Sequence, residues 1–312
     1  MKAARDVVML FVLDSRNDYQ EALARSAQFS CERRGLTLQV HDAGNSSNRQ
    51  LEQILSCLRG PERERAVALL VHPVLDGMHE AAASEAARAG VGWVLLNRVG
   101  AYMAPLRERY PLVPIFSVTP DQLEIGRAQG RAAHALLPNG GSALAILGPL
   151  MASSSRARQG GMEEQLRGAP IKVEWLRGDW SVPSGEQAIA LWARRTLPAG
   201  EAPALVVAQN DAMAKGARAG LRAAAAQHAR PELAAVPIVG CDGVVAFGLA
   251  LVKAGEITAT VVVPGTAAPA VDEIARWRQS GQLPPPELRL EVALQPNLTA
   301  LEQRSAAPAP AR

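Results

Sequence analysis

The chain reads as an α/β protein made of two doubly wound parallel-sheet lobes, and three observations predict this. Short apolar runs rich in Val, Leu and Ile alternate with amphipathic segments of helical period along almost the whole length. The alternation occurs as two successive series, and 312 residues suffice for two ordinary domains. Aliphatic residues are plentiful while aromatics make up only 4%, as expected where helices cover parallel sheets.

In the first series the strands are Val7–Leu13, Leu36–Val40, Ala66–Val71, Gly92–Leu96 and Pro114–Val118. Helices Tyr19–Arg34, Gln50–Leu58 and Met78–Ala89 lie between them. The second series has strands Ala143–Leu147, Ile171–Leu176, Ala204–Ala208, Pro237–Val239 and Thr258–Val263. Its helices are Gln122–Leu137, Arg156–Leu166, Gly185–Arg195, Ala212–Gln227 and Val245–Lys253. Strands joined by helices of this length form right-handed βαβ units. Thr266–Gln279 reads as a helix returning to the first lobe, and the Pro-rich Leu283–Glu287 cannot continue it. A last extended segment, Leu288–Leu294, follows, and Ser305–Arg312 reads as a disordered tail. The expected domains are therefore 1–118 with 264–287, and 119–263 with 288–304, leaving the tail at 305–312. Three crossings, near Ser117–Pro120, Val262–Pro264 and Pro286–Leu290, would form a hinge.

Composition excludes several classes of function. The formal charge of +3 is small for this length, and the Arg63 and Arg65 run is interrupted by glutamates, so no nucleic-acid partner is expected. Three cysteines (Cys31, Cys57, Cys241) and no CxxC argue against a disulfide framework or zinc site. Cys241 reads as a small buried hydrophobe. The five histidines show no metal-binding spacing. No GxSxG, GxGxxG or P-loop pattern is present, so neither catalysis nor a cofactor is expected. Val7–Leu13 is too short for a signal peptide core and no cleavage site follows it, so the expectation is a chain that is cytoplasmic as written, the alternative being the periplasm or cell envelope if the N-terminus is trimmed. No membrane insertion is expected, and a monomer is.

The functional signal lies at the strand ends. The runs ending at Gln209 and Gly240 stop at Asn210-Asp211 and at Asp242, where a buried strand gives way to a loop or helix. Ligands of open α/β sheets bind just beyond the carboxyl ends of the strands. Asn, Asp and Arg suit the hydroxyl rim of a polyol, and aromatic rings suit its C–H faces.

The segments AQNDAMAKGARAGL (Ala208–Leu221) and IVGCDG (Ile238–Gly243) resemble the second lobe of the ribose-type periplasmic sugar-binding proteins, and the resemblance runs from near Val7 to about Thr299. It implies a type I periplasmic-binding-protein fold and a non-enzymatic solute-binding protein serving an ABC-type importer. The alternative is a ligand sensor signalling to a membrane kinase or regulator. Asn17, Tyr19 and Gln20 stand where the family carries a motif like NPFF. His72 stands in VHP for the family's INP, and Asn97-Arg98 for its DR. Asp121-Gln122 with Gly126 resembles its SDN-xxxG, and Arg158 with Gly160-Gly161 its ARxRGxGF. Trp180 falls at a cleft aromatic, and Asn210 and Asp242 match outright. The resemblance thus implies ligand contacts from Asn17, Tyr19, Gln20, His72, Asn97, Arg98, Arg158, Trp180, Asn210 and Asp242.

Plainer readings fit some of these residues as well. Asn17 also suits a helix N-cap, His72 a satisfied strand-end histidine, and Trp180 a cover for the core. Arg98 and Arg158 also suit surface ion pairs, and Asp242 a turn. Asp211 reads as an N-cap outside the site. Val263 replaces the Gln of the family's hinge segment, and Asn97 replaces its Asp. These changes favour a sugar acid, phosphorylated sugar or deoxy-sugar over a plain pentose. Lactose-repressor-type regulators share these lobes but need a helix-turn-helix before the first strand, which here begins within ten residues of Met1.

Overall fold

The computed structural model describes residues 6–197 and 202–306. The chain divides into two compact units, 1–120 with 264–290, and 121–263 with 291–312.

Unit 1 contains β1 (Val7–Val12), α1 (Asp18–Arg33), β2 (Thr37–Asp42), α2 (Ser47–Arg59), β3 (Ala66–Val71), α3 (Glu80–Arg88), β4 (Gly92–Leu96), α4 (Met103–Arg109) and β5 (Ile115–Pro120). Unit 2 contains α5 (Gln122–Leu136), β6 (Gly141–Leu147), α6 (Ser153–Leu166), β7 (Ile171–Arg177), α7 (Val182–Thr196), β8 (Leu205–Ala208), α8 (Asp211–Gln227), β9 (Ile238–Asp242), α9 (Gly248–Lys253) and β10 (Ala259–Val262). The chain then returns to unit 1 for α10 (Ala267–Ser280) and β11 (Glu287–Leu290), and ends in unit 2 with β12 (Ala293–Gln295) and α11 (Leu298–Ala306).

Each unit has a six-stranded sheet. The orders are β11-β5-β4-β3-β1-β2 and β12-β10-β9-β8-β6-β7, so the two sheets share one topology. All five pairings of the unit 1 sheet run parallel, as do four of the five in unit 2: β11 joins β5 parallel, whereas β12 joins β10 antiparallel. β1, β3 and β4 are buried at every position, as strands covered on both faces must be. Helices on both faces complete two cores per unit, one around Phe11, Leu69 and Trp93 and another around Leu10, Leu70 and Phe116 in unit 1.

Three expectations need correction. The extended segment Leu288–Leu294 is two strands in two sheets, because Glu287–Leu290 pairs with β5 and Ala293–Gln295 with β10. Ser305 and Ala306, expected in the disordered tail, belong to α11; the rest of that segment, 307–312, lies outside the described residues. Helix α4 was not anticipated by the periodicity of so short a segment.

Candidate functional site

In both units the strand order reverses beside the first strand, between β1 and β3 and between β6 and β8. The loops leaving the carboxyl ends of strands at such a switch point form a crevice. Of the ten residues singled out in the sequence, nine follow the carboxyl end of a strand and Asp242 is the last residue of β9; six belong to unit 1 and four to unit 2.

In unit 1, β3 ends at Val71 and hands the chain to His72-Pro73, while β4 ends at Leu96 and hands it to Asn97-Arg98. Asn17 is the N-cap of α1: its Oδ1 accepts from the amides of Tyr19 (3.0 Å) and Gln20 (3.3 Å). That cap aims the first turn of α1 at the ends of β3 and β4. Tyr19 donates its hydroxyl to Asn97 Oδ1 at 3.1 Å and meets the His72 ring edge-on at 6.5 Å. Gln20 is buried; its Nε2 lies 3.0 Å from His72 Nδ1 and its Oε1 accepts from the Leu13 amide at 3.2 Å. Arg98 is buried too, donating from Nε to Asp76 at 3.1 Å and from Nη1 to the Asn97 carbonyl at 2.9 Å. Arg98 thus forms an ion pair, but a buried one rather than a surface one, with Asp76 from the loop after β3 as its half-buried partner.

Unit 2 assembles Arg158, Trp180 and Asn210 around one guanidinium. Arg158, on α6, is only 7% exposed. Its Nε donates to Gln122 Oε1 at 2.8 Å, its Nη1 donates to the Gln209 carbonyl, and its guanidinium carbon stands 5.6 Å from the Trp180 ring centroid. Among the described residues no carboxylate pairs with it. Burying such a charge demands compensation by hydrogen bonds. Asn210 caps α8, accepting from the Met213 amide at 2.9 Å and donating to the Trp180 carbonyl at 2.9 Å. Trp180 packs against Gly148, where an added Cβ would lie 2.1 Å from a ring atom.

Asp242 ends β9, the neighbour of β8, and its carbonyl accepts from the Val263 amide at 3.0 Å. Behind it sits Asp211. The N-cap role expected of Asp211 belongs instead to Asn210, because Asp211 is the first residue inside α8. Its buried carboxyl accepts from the Gly243 amide and the Thr260 hydroxyl, both at 2.7 Å, and so ties α8 to the loop after β9 and to β10. Burial pushes this carboxyl up to about 7, against those two donors, the Cys241 amide and the positive charge of Arg158. Cys241 is wholly buried, and desolvation drives its thiol upward, away from reactivity.

Backbone geometry marks the same places. Non-glycine residues with positive φ include Asn97 (60°), Trp180 (75°) and Asp242 (117°). Such conformations cost energy and persist where the surroundings impose them, often at ligand sites. Four glutamines support the strand ends, of which Gln50 and Gln129 escaped the sequence reading. Gln50 donates to the His72 carbonyl at 2.8 Å and accepts from the Val74 amide at 2.9 Å. Gln209 accepts from the Gly148 amide and the Ser155 hydroxyl, both at 2.9 Å. Gln129 donates to the Ala208 carbonyl at 2.8 Å, and Gln122 holds Arg158. Of Gly160-Gly161 only Gly161 is sterically required: a Cβ there would sit 2.0 Å from the Leu123 carbonyl, whereas Gly160 faces nothing nearer than 3.9 Å.

Two doubly wound units, each with polar and aromatic groups gathered at its switch point, define a two-lobed solute-binding protein of the type I fold. The chain belongs to the periplasmic binding protein domain family, whose model matches residues 8–268, and it is a non-enzymatic binding protein. Solved structures share the fold across nearly their whole length. A galactofuranose binding protein is 21% identical over 96% of this chain and 98% of that one, with a TM-score of 0.79. The Caulobacter myo-inositol binding protein, bound to myo-inositol, is 23% identical over 96% of each chain, with a TM-score of 0.77. The fructose binding periplasmic domain of a hybrid two component system is 18% identical over 96% and 94%, with a TM-score of 0.75. No curated protein sequence matches significantly. Among the described residues no helix is long and apolar enough to cross a membrane.

Proposed function

We propose that this protein captures a small sugar or polyol, using the strand-end residues of both units, and delivers it to an ABC-type importer. The observation that carries this reading is Arg158: a buried guanidinium that forms no salt bridge among the described residues and stands over an indole ring. Sugar hydroxyls accept from guanidinium N–H groups, and sugar C–H faces stack on aromatic rings. His72, Asn97, Tyr19 and Arg98 supply a second polar set in unit 1. The ligands named for the similar proteins (galactofuranose, myo-inositol, fructose) are all of this class. Membership of a family that typically works in the periplasm supports the same compartment here.

A second reading, a ligand sensor that signals without transport, draws on the similarity to the periplasmic domain of a two component system. Calorimetric titration with neutral sugars, inositols and sugar acids tests the binding step. Arg158→Ala and Asp242→Ala are each expected to weaken the ligand by about 2–4 kcal/mol, because each leaves a desolvated partner unpaired. Wild-type affinity in both variants would remove the two residues from the site, and no binding by any of the three ligand classes would overturn the reading itself. A preference for sugar acids would bear out the loss of one formal negative charge at Asn97.

A further inference from the structure

One peptide bond of unit 2, joining Asp242 to Gly243, is held at both of its polar ends. Its carbonyl accepts from the Val263 amide at 3.0 Å, and its N–H donates to Asp211 Oδ2 at 2.7 Å. Because the peptide unit is planar, two such bonds on opposite sides fix its orientation. Asp211 is fixed in turn: its Oδ1 accepts from the Thr260 hydroxyl at 2.7 Å, and the residue is buried. The backbone leaves room for this carboxylate alone. A Cβ on Gly240 would lie 2.2 Å from Oδ1, and one on Gly248 would lie 1.8 Å from Oδ2. Before the held peptide, Asp242 is in register with Val262 of β10, so β9 is fixed up to that residue. The Asp242 backbone joins these two fixed pieces, and it does so at φ 117°. A non-glycine residue keeps a positive φ only where its surroundings impose it. Asp242 is also half-buried, whereas the four residues before it in β9 are buried.

We propose that Asp211 is a positioning residue of the binding site: through the Gly243 amide it imposes the backbone conformation of Asp242, and so the direction in which that side chain leaves the strand end. The proposal rests on Asp242 belonging to the site, as in the function proposed above. Asp211 is itself shut off from solvent and meets no ligand. The adjacent pair at the end of β8 therefore divides its work. Asn210 caps α8, while Asp211 reaches across to the end of β9 and makes the two strand ends one rigid piece.

The test begins on the full chain without ligand. Cys241-Asp242 is the only Cys-Asp pair in the sequence, so carbonyl-labelled cysteine with nitrogen-labelled aspartate marks the Asp242 amide alone. The coupling between that amide proton and its Hα is small at φ 117° and large in an extended strand. A small coupling is expected in the wild type and in Asp211→Asn, whose amide oxygen still accepts from Gly243. A large one is expected in Asp211→Ala. A large coupling in the wild type, or an unchanged one in Asp211→Ala, overturns the proposal. Whichever of D-galactose, D-allose, D-fructose and myo-inositol binds the wild type should bind Asp211→Ala about tenfold more weakly, since the strain at Asp242 then falls on the bound state. Asp211→Asn should restore wild-type affinity. A purely structural Asp211 would lower the melting temperature in Asp211→Ala and leave coupling and affinity untouched, which refutes the proposal. Wild-type affinity in Asp242→Ala refutes it too, while leaving sugar binding standing. Should Asp211→Ala not fold, the Gly243 amide decides. Burial raises the Asp211 carboxyl to about 7, beside the charged or ionisable Arg158 of α6 and Cys241 and Asp242 of β9. The Gly243 amide shift should titrate with that carboxyl and cease to do so in Asp211→Asn; a step that persists there belongs to another group and defeats the idea. If none of the four probes binds the wild type, the sugar-binding reading fails, while the coupling still decides whether Asp211 sets Asp242.

Discussion

In unit 2, helices α5 and α6 touch backbone to backbone. A Cβ on Gly126 would lie 2.0 Å from the Arg158 carbonyl, and one on Gly161 would lie 2.0 Å from the Leu123 carbonyl. Helices α7 and α8 repeat the device through Gly185, 2.2 Å from the Met213 carbonyl, and Gly216, 2.0 Å from the Val182 carbonyl. In unit 1, α1 and α10 contain no glycine and meet through side chains. Leu23, Ala27 and Cys31 pack with Ala270, Val271 and Ile274, and Asp272 accepts from Ser30 and Arg34 at 2.9 Å each. The same strand order is thus held in two ways, and the difference reaches the candidate site. Arg158 is placed by a helix whose own backbone rests on Gly126. Its counterparts in unit 1 are placed by the side-chain amides of Gln20 and Gln50.

The largest expected effect follows from that contrast. In Gly126→Ala the new methyl meets a carbonyl rather than a flexible side chain, so α5 and α6 must separate. We expect a loss of about 3 kcal/mol from overpacking, well beyond the ~1 kcal/mol that alanine gains in helix propensity. Ligand affinity should fall in the same variant, because Arg158 moves with its carbonyl. Urea unfolding monitored by hydrogen exchange in each unit separately is the measurement, since two units need not unfold as one. Wild-type stability in Gly126→Ala would show that the helices have slack and that backbone contact does not distinguish the units.

The units should also respond to pH in opposite directions. His79, in unit 1, is 1% exposed, its Nε2 has no hydrogen-bond partner among the described residues, and burial pushes its pKa down to about 4. Between that value and its ordinary 6.5 the unfolded chain binds more protons than the native one. The stability His79 contributes is present above 6.5 and is lost as pH falls towards 4. Asp211 in unit 2 is raised to about 7. There the native state binds more protons, and its contribution is present below the ordinary carboxylate range and is lost as pH rises through about 7. Between pH 7 and 5, unit 1 should weaken and unit 2 strengthen, each by about 2 kcal/mol. His79→Leu should flatten the first trend. Asp211→Asn should flatten the second, because an amide can still accept from Gly243 while donating to the Thr260 hydroxyl. Parallel pH profiles for exchange in β3 and β9 would break the comparison.

The parts of this molecule legible in the sequence are those set by local pattern. β1 and β3 read as unbroken apolar runs because both of their faces are covered, and the polar strand ends at His72, Asn97, Asn210 and Asp242 read as interruptions of such runs. What long-range contacts set was not legible. Leu288–Leu294 is one extended run by composition and becomes two strands only through its partners β5 and β10. Buried glutamines look like any polar face of an amphipathic helix, so Gln50 and Gln129 gave no signal although each binds a strand-end carbonyl. Asn210 and Asp211 are adjacent, and only the exact start of α8 decides which one caps it. The positive φ of Trp180 and Asp242 has no counterpart in residue type.

The smallest effect separates capping from binding. Asn17 caps α1, which carries Tyr19 and Gln20, and Asn210, itself a candidate, caps α8, whereas α6, which carries Arg158, follows Ala152 with no side-chain cap. Ala152 already has the extended backbone of an N-cap, with φ −78° and ψ 119°. Ala152→Ser should therefore add about 0.5–1 kcal/mol to unit 2 and leave affinity unchanged. In unit 1, Asn17→Ser keeps an oxygen that can accept from the amides of the first turn, so its stability should stay within about 0.5 kcal/mol of wild type. Serine lacks the amide donor, however, and a ligand that uses Asn17 Nδ2 should bind several-fold more weakly. Chemical denaturation and calorimetry on the same two variants read both quantities. Equal affinity with equal stability in Asn17→Ser would reduce Asn17 to a cap, and the unit 1 half of the site would then begin at Tyr19.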